Sequence, residues 1–218
     1  TNATFSLSNA QSGDAGNYTV VVTNSAGSVT SNAAALTVIV PPAIVTPPQA
    51  QSVTAGANVS FSVTATGTAP LTYQWRKDGN NIAGATNSTF SLSNSQSGDA
   101  GSYTVVVTNS AGSATSNAVT LTVILPPAIV TQPQAQSVTA GANVTFTVTA
   151  SGTAPLSYQW RKGGTNIGSA TNATLTLSNV QAGDAGNYDV VVSNSAGSVT
   201  SNAATLTVIV LPTITTQP

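Results

Sequence analysis

The sequence predicts an all-β chain of antiparallel β-sandwich domains set end to end, each of about seven strands. Three observations carry that expectation: a long internal repeat, apolar residues that alternate with polar ones, and turn signals at short intervals. Trp75 recurs as Trp160 and Asp99 as Asp184, 85 residues apart in both cases. Segments 41–125 and 126–210 differ at 20 of 85 positions, mostly by swaps such as Ser60 for Thr145 that keep polar or apolar character. The two segments must therefore share one fold.

Each element of a repeat has its own signal. Val59, Phe61 and Val63 alternate with serine, as a strand with one buried face does. Gly67-Thr68-Ala69-Pro70 ends that strand, and the next carries Trp75 into the turn Asp78-Gly79. Phe90-x-Leu92 forms a further short strand, Ser97-Gly98 turns the chain, and Tyr103, Val105 and Val107 again mark alternate positions. Asn109-Ser110-Ala111-Gly112 is a tight turn into the last strand, which ends at 121–125.

Composition removes several function classes. Four cations against five carboxylates leave a net charge of −1, so no basic surface exists to release counterions from nucleic acid or to hold an anionic membrane. No apolar run reaches the roughly 20 residues that a membrane-spanning helix needs. The chain has no His, Cys, Glu or Met, so the usual base, nucleophile and metal-ligand sets cannot be assembled. No catalytic, cofactor or metal residue is expected, and the protein reads as a non-enzyme.

The residues quoted resemble the intermediate (I-set) class of immunoglobulin domains over essentially the whole chain. The carriers are Val59-x-Phe61-x-Val63 as strand B, Trp75-Arg76-Lys77-Asp78-Gly79 as strand C and its turn, Phe90-x-Leu92 as strand E, and Asp99-Ala100-Gly101-Ser102-Tyr103 leading into strand F. Val144-x-Phe146-x-Val148, Trp160-Arg161-Lys162, Leu175-x-Leu177 and Asp184-Ala185-Gly186-Asn187-Tyr188 repeat them. The resemblance implies that Trp75 and Trp160 fill the core and that Tyr18, Tyr103 and Tyr188 are corner tyrosines. It also implies that Asp14, Asp99 and Asp184 cap the preceding turn. Where the family carries its two cysteines, this sequence has Val63 and Val105 in one domain and Val148 and Val190 in the other. A disulfide there would close a loop of 42 residues between positions 63 and 105 and contribute roughly 4 kcal/mol. Packing of the valines has to replace it. Because the repeats are cysteine-free and poor in charge, the resemblance further implies a large bacterial surface or extracellular protein.

This register places strands E, F and G of one domain in 1–40, complete domains in 41–125 and 126–210, and the first strand of another in 211–218. The sequence is then expected to be a window of a longer array. Strand G runs into Pro126-Pro127 without a Gly or Ser tract, which predicts stiff junctions near Ile124 and Ile209. Arg161 and Asp189 are expected as an outward ion pair on neighbouring strands, and Asp99 and Asp184 as turn caps rather than calcium ligands. Lys77 and Lys162 read as surface lysines rather than partners in an isopeptide bond. Six Asn-x-Ser/Thr triplets, at Asn2, Asn17, Asn58, Asn87, Asn143 and Asn172, and the outward Thr145, Thr147 and Thr149 read as solvated positions. Val106 and Val191 point outward on a surface with few charges, so lateral self-association into fibres is expected. The function expected is an extracellular or cell-surface structural array, a stalk or filament whose partners are the neighbouring domains of the same chain. The alternatives are an adhesin or glycan-binding module, or a spacer within a secreted enzyme.

Overall fold

A computed structural model describes residues 2–214, and almost all regular structure in it is strand. Four short strands come first: β1 (Gly16–Tyr18), β2 (Val21–Asn24), β3 (Gly27–Thr30) and β4 (Ala34–Leu36). The first full repeat holds β5 (Ala43–Thr46), β6 (Gln51–Thr54), β7 (Val59–Ser62), β8 (Thr64–Thr66), β9 (Thr72–Lys77), β10 (Asn80–Asn81), β11 (Thr89–Leu92), β12 (Gly101–Asn109), β13 (Gly112–Thr115) and β14 (Val119–Ile124). The second holds β15 (Ala128–Thr131), β16 (Gln136–Thr139), β17 (Val144–Thr147), β18 (Thr149–Ser151), β19 (Ser157–Lys162), β20 (Thr165–Asn166), β21 (Thr174–Leu177), β22 (Gly186–Asn194), β23 (Gly197–Thr200) and β24 (Ala204–Ile209).

Three broken strands account for the surplus over the expected number. The opening strand leaves one sheet for the other: β5 pairs antiparallel with β8, whereas β6 lies beside β14. Its break falls at Pro47-Pro48, because proline offers no N–H to a ladder. The second repeat makes the same switch, β16 running parallel to β24. The last strand breaks at Ser116, whose buried hydroxyl accepts the Val105 N–H at 3.0 Å while its own N–H donates to Val105 O at 2.9 Å. Ser201 does the same for Val190.

Each sandwich sets one larger sheet, in the order β10-β9-β12-β14-β6 or β20-β19-β22-β24-β16, against the small pairs β7-β11 and β5-β8 or β17-β21 and β15-β18. The core lies between them because strand residues alternate in direction. Trp75 stands directly opposite Val105 on the β9-β12 ladder, and Trp160 opposite Val190 on β19-β22. Tyr103 stacks on Phe61 with ring centroids 5.0 Å apart, and Tyr188 on Phe146 at 5.1 Å. Burial of each such ring is worth roughly 1.5–3 kcal/mol.

Residues 2–40 behave differently. Thr4–Leu7, the expected E strand, forms no strand, and the stretch equivalent to the nine-residue β12 is split into β1 and β2. In the full repeats β11 pairs only with β7, and the middle of β12 is held by β9. Neither partner exists within residues 2–40. At the other end 211–214 contains no strand, and 215–218, also expected as part of a strand, lie outside the described residues.

Candidate functional site: the clamped ends of the repeats

Each repeat holds the residue before its opening prolines in a set of hydrogen bonds. Asn109 closes the β12-β13 turn by accepting the Ala111 N–H on Oδ1 at 2.9 Å, with Gly112 at φ +149° completing it. That leaves the Asn109 amide to donate to Val40 O at 2.8 Å and Thr68 O at 2.9 Å. Thr68 holds the same residue from its other side, its N–H donating to Val40 O at 3.0 Å and its hydroxyl accepting the Val40 N–H at 2.8 Å. Both backbone groups of Val40 are thereby satisfied. Gly67 permits the approach, since a Cβ there would come within 3.0 Å of Pro42 Cα.

Every part recurs 85 residues later. Asn194 donates to Leu125 O at 2.8 Å and Thr153 O at 2.9 Å, the Leu125 N–H donates to Thr153 Oγ1 at 2.8 Å, and the Thr153 N–H to Leu125 O at 3.0 Å. The site contains no ionisable group, so it binds backbone by shape and hydrogen bonding and offers no acid–base or metal chemistry. Sequence reasoning missed it. Asn109 and Thr68 read as turn residues there, and only the fold brings them to one carbonyl 41 residues apart in sequence.

Trp75, Trp160, Tyr103, Tyr188, Val63, Val105, Val148 and Val190 are all buried. Each tryptophan N–H donates to a backbone carbonyl, Asn87 O or Asn172 O, at 2.9 Å. Tyr18 is only half-buried. Its hydroxyl donates to Asp14 O at 2.6 Å, and that of Tyr188 to Asp184 O at 2.8 Å. Burial first, and the Asp184 charge second, raise the Tyr188 phenol above its ordinary value. Asp14, Asp99 and Asp184 each end a one-turn 3-10 segment and accept the N–H of Gln11, Gln96 and Gln181 at 2.7, 2.7 and 2.8 Å.

Arg161 and Asp189 lie directly opposite on β19 and β22, with Nε 2.7 Å from Oδ1. That hydrogen bond is the main reason the guanidinium is raised above its ordinary value, against a smaller lowering by burial. Lys77 sits 3.6 Å from Asp78, whereas Lys162 donates to Gly183 O and lies 5.8 Å over the Tyr188 ring. Asn58 and Asn143 use their side-chain oxygens to accept the N–H of Asn94 at 3.0 Å and of Asn179 at 2.9 Å. Val106 and Val191 are half-buried on the outer sheet face. Among the described residues no three His, Cys, Asp or Glu side chains gather as a metal site, and no helix is long and apolar enough to cross a membrane.

Comparison with known proteins agrees with this architecture. An immunoglobulin domain profile matches residues 41–109 and 126–194, and an immunoglobulin I-set domain profile matches 1–38. Roundabout homolog 1 of Mus musculus is 34% identical over 209 residues, which make up 87% of this chain and 13% of that protein. This chain thus spans a small part of the length of that relative. An I67–I69 I-band fragment of titin superimposes with a TM-score of 0.78 at 26% identity, covering 92% of this chain and 76% of the fragment. Extracellular domains 3–5 of Drosophila OTK do so with a TM-score of 0.55 at 25% identity, covering 91% and 72%. The bacterial source implied by the resemblance has no support here, since these relatives are animal proteins.

Proposed function

We propose that this chain, which belongs to the immunoglobulin domain family, is a stretch of an extracellular structural array, a stalk whose joints are fixed by hydrogen bonds. The observation that carries the reading is the double clamp at Val40 and Leu125. A flexible connector would leave these backbone groups to water, whereas here each has protein partners on the residue preceding Pro-Pro. The proposed domain limits are 41–125 and 126–210, with 1–40 and 211–218 belonging to further units. The partners in this reading are neighbouring domains of the same chain and, through the weakly charged sheet faces around Val106 and Val191, parallel copies in a fibre. No reaction is assigned to it, because no acid, base or nucleophile set lies in the clamps or on the strands.

The absence of cysteine makes a direct test simple. Ser62→Cys and Thr147→Cys, on exposed faces of β7 and β17, place one spin label in each full repeat. The label-to-label distance distribution is expected to be narrow and to broaden when Thr153→Val and Asn194→Ala remove the Leu125 clamp. A distribution already broad in the unaltered chain would sink the stiff-array reading.

A further inference from the structure

Strand β11 has one ladder partner and one open edge. The Val63 N–H donates to Ser88 O at 3.0 Å, just beyond the end of the β7-β11 pairing. Antiparallel ladders alternate, so Ser88, Phe90 and Leu92 turn their backbone groups toward β7, and Thr89 and Ser91 turn theirs away. Gln51 agrees with this phase from the far side of β7, where its Nε2 donates at 2.7 Å to the carbonyl of Ser60, the residue opposite Ser91. Among the described residues nothing pairs with the backbone groups of Thr89 or Ser91. The second repeat has the same phase, fixed by the Val148 N–H on Ala173 O at 3.0 Å, and its open groups belong to Thr174 and Thr176.

An open edge is a template for another strand, and folded proteins usually guard it with prolines, charges, bulges or short length. Other edges of the full repeats carry such guards. β5 and β15 are bulged, between Ile44 and Thr46 and between Ile129 and Thr131. β10 and β20 are two residues long, and Pro47-Pro48 stands just ahead of β6. Residues 83–92 and 168–177, by contrast, contain no proline and no charge, and β11 and β21 pair without a bulge. Beside each runs an open groove of about 380 Å³, lined in the first repeat by Ala83, Gly84, Thr86, Asn87, Thr89 and Ser91 among others. These walls are small and uncharged, so they suit a strand that brings backbone bonds and short side chains.

We propose that the open edges of β11 and β21 pair antiparallel with the same edges of a second copy of this chain. The match is self-complementary. Thr89 exchanges both backbone bonds with Ser91 of the second copy, Ser91 does so with its Thr89, and all four outward groups are satisfied. Exposed hydroxyl side chains then face one another across the seam, and no charge is buried. Each chain carries two such edges, so copies add in open-ended series, and a contact that is weak singly gains from repetition. The inference rests on the lateral association proposed above and gives it a surface distinct from the sheet face around Val106.

The test is sedimentation of the 218-residue chain over a concentration series. Thr89→Pro with Thr174→Pro removes an outward N–H at the first position of each strand, where proline leaves the β7 and β17 ladders intact. The apparent association constant should fall about 10-fold in this variant, since each seam loses two of its four bonds. Ser91→Lys with Thr176→Lys keeps every backbone group and sets like charges across the seam, so a comparable fall is expected there even if the proline variant folds poorly. Register is read by disulfides between two further variants, one with Thr89→Cys and Thr174→Cys and the other with Ser91→Cys and Thr176→Cys. Mixed, they should cross-link to each other about 10-fold faster than either does to itself, because paired Cα atoms lie about 5.5 Å apart. Undiminished association in both substituted chains, or cross-links without that preference, overturns the inference and leaves lateral association through another face standing. A monomer at every concentration sinks both, and binding of a free 86–92 peptide by that monomer would assign the edge to another partner.

Discussion

The two full repeats settle one buried position in opposite ways. Ser95 is wholly buried and satisfies its hydroxyl by donating to Ala57 O at 2.8 Å, whereas its counterpart Val180 is equally buried and needs no partner. The backbone does not notice, since the amides at 95 and 180 both donate to the equivalent carbonyl, Ala57 O or Ala142 O, at 2.9 Å. A second difference re-routes a charge. Asp78, at φ +50°, accepts the Ser102 N–H at 2.9 Å and attracts Lys77, but Gly163 takes the same turn at φ +55° with no side chain, and Lys162 turns instead to Gly183 O and the Tyr188 ring. Gly101 and Gly186 record the change: an added Cβ would lie 2.8 Å from Asp78 Oδ2 in one repeat and 3.3 Å from Lys162 Cε in the other. A third is the charge pair that only the second repeat has, because Thr104 is replaced by Asp189. The lesson is that the ladder and the aromatic core define the domain, while single side chains adjust its polar interior and surface locally.

The comparison is broken most strongly at the buried position. Val180→Ser should destabilise the second repeat by about 1–2 kcal/mol, since lost apolar burial exceeds the one hydrogen bond the serine gains. Ser95→Val should stabilise the first, because Ala57 O keeps a backbone donor. Urea unfolding monitored by tryptophan fluorescence reads both, and equal effects of the same sign would show that the two interiors are not equivalent.

Tyr188→Phe removes the bond to Asp184 O and should cost about 1 kcal/mol near neutral pH. The sign of its pH dependence follows from the raised phenol. The unfolded chain ionises above about pH 10 while the folded repeat keeps its proton. The tyrosine's share of stability is therefore complete below that pH and is lost as the pH rises through the folded value. The deficit of the phenylalanine variant should shrink in alkali, and a deficit that grows there would contradict the assignment. The smallest effect is expected for Asp189→Thr, which restores the residue of the first repeat. Loss of the ion pair, whose side chains are 26% and 20% exposed, should cost under about 1 kcal/mol and less in high salt.

Much of the core was legible in the sequence because its signals are local and periodic. Alternation at Val59, Phe61 and Val63 dictates which side chains share a face, and the recurring Trp, Tyr and Asp positions mark the strands that carry them. The Arg161–Asp189 pair could be anticipated in the same way, from two strands of known register. The switch of the opening strand between sheets was less legible, although Pro47-Pro48 carries its cause. Ser116 and Ser201 gave no signal at all, since a buried serine that stands in for a ladder bond looks like any turn residue.

By itself the sequence determined the repeat, the strand class, the tryptophan-centred core and the lack of His, Cys, Glu and Met, because composition and spacing act over short range. Only the tertiary structure decided that Asn109 with Thr68, and Asn194 with Thr153, close on the residue before Pro-Pro. Both depend on which distant backbone arrives beside a side chain. Hydrogen bonds of about 3 Å reach and burial by a facing sheet are decided by that arrival, for which spacing along the chain carries no signal.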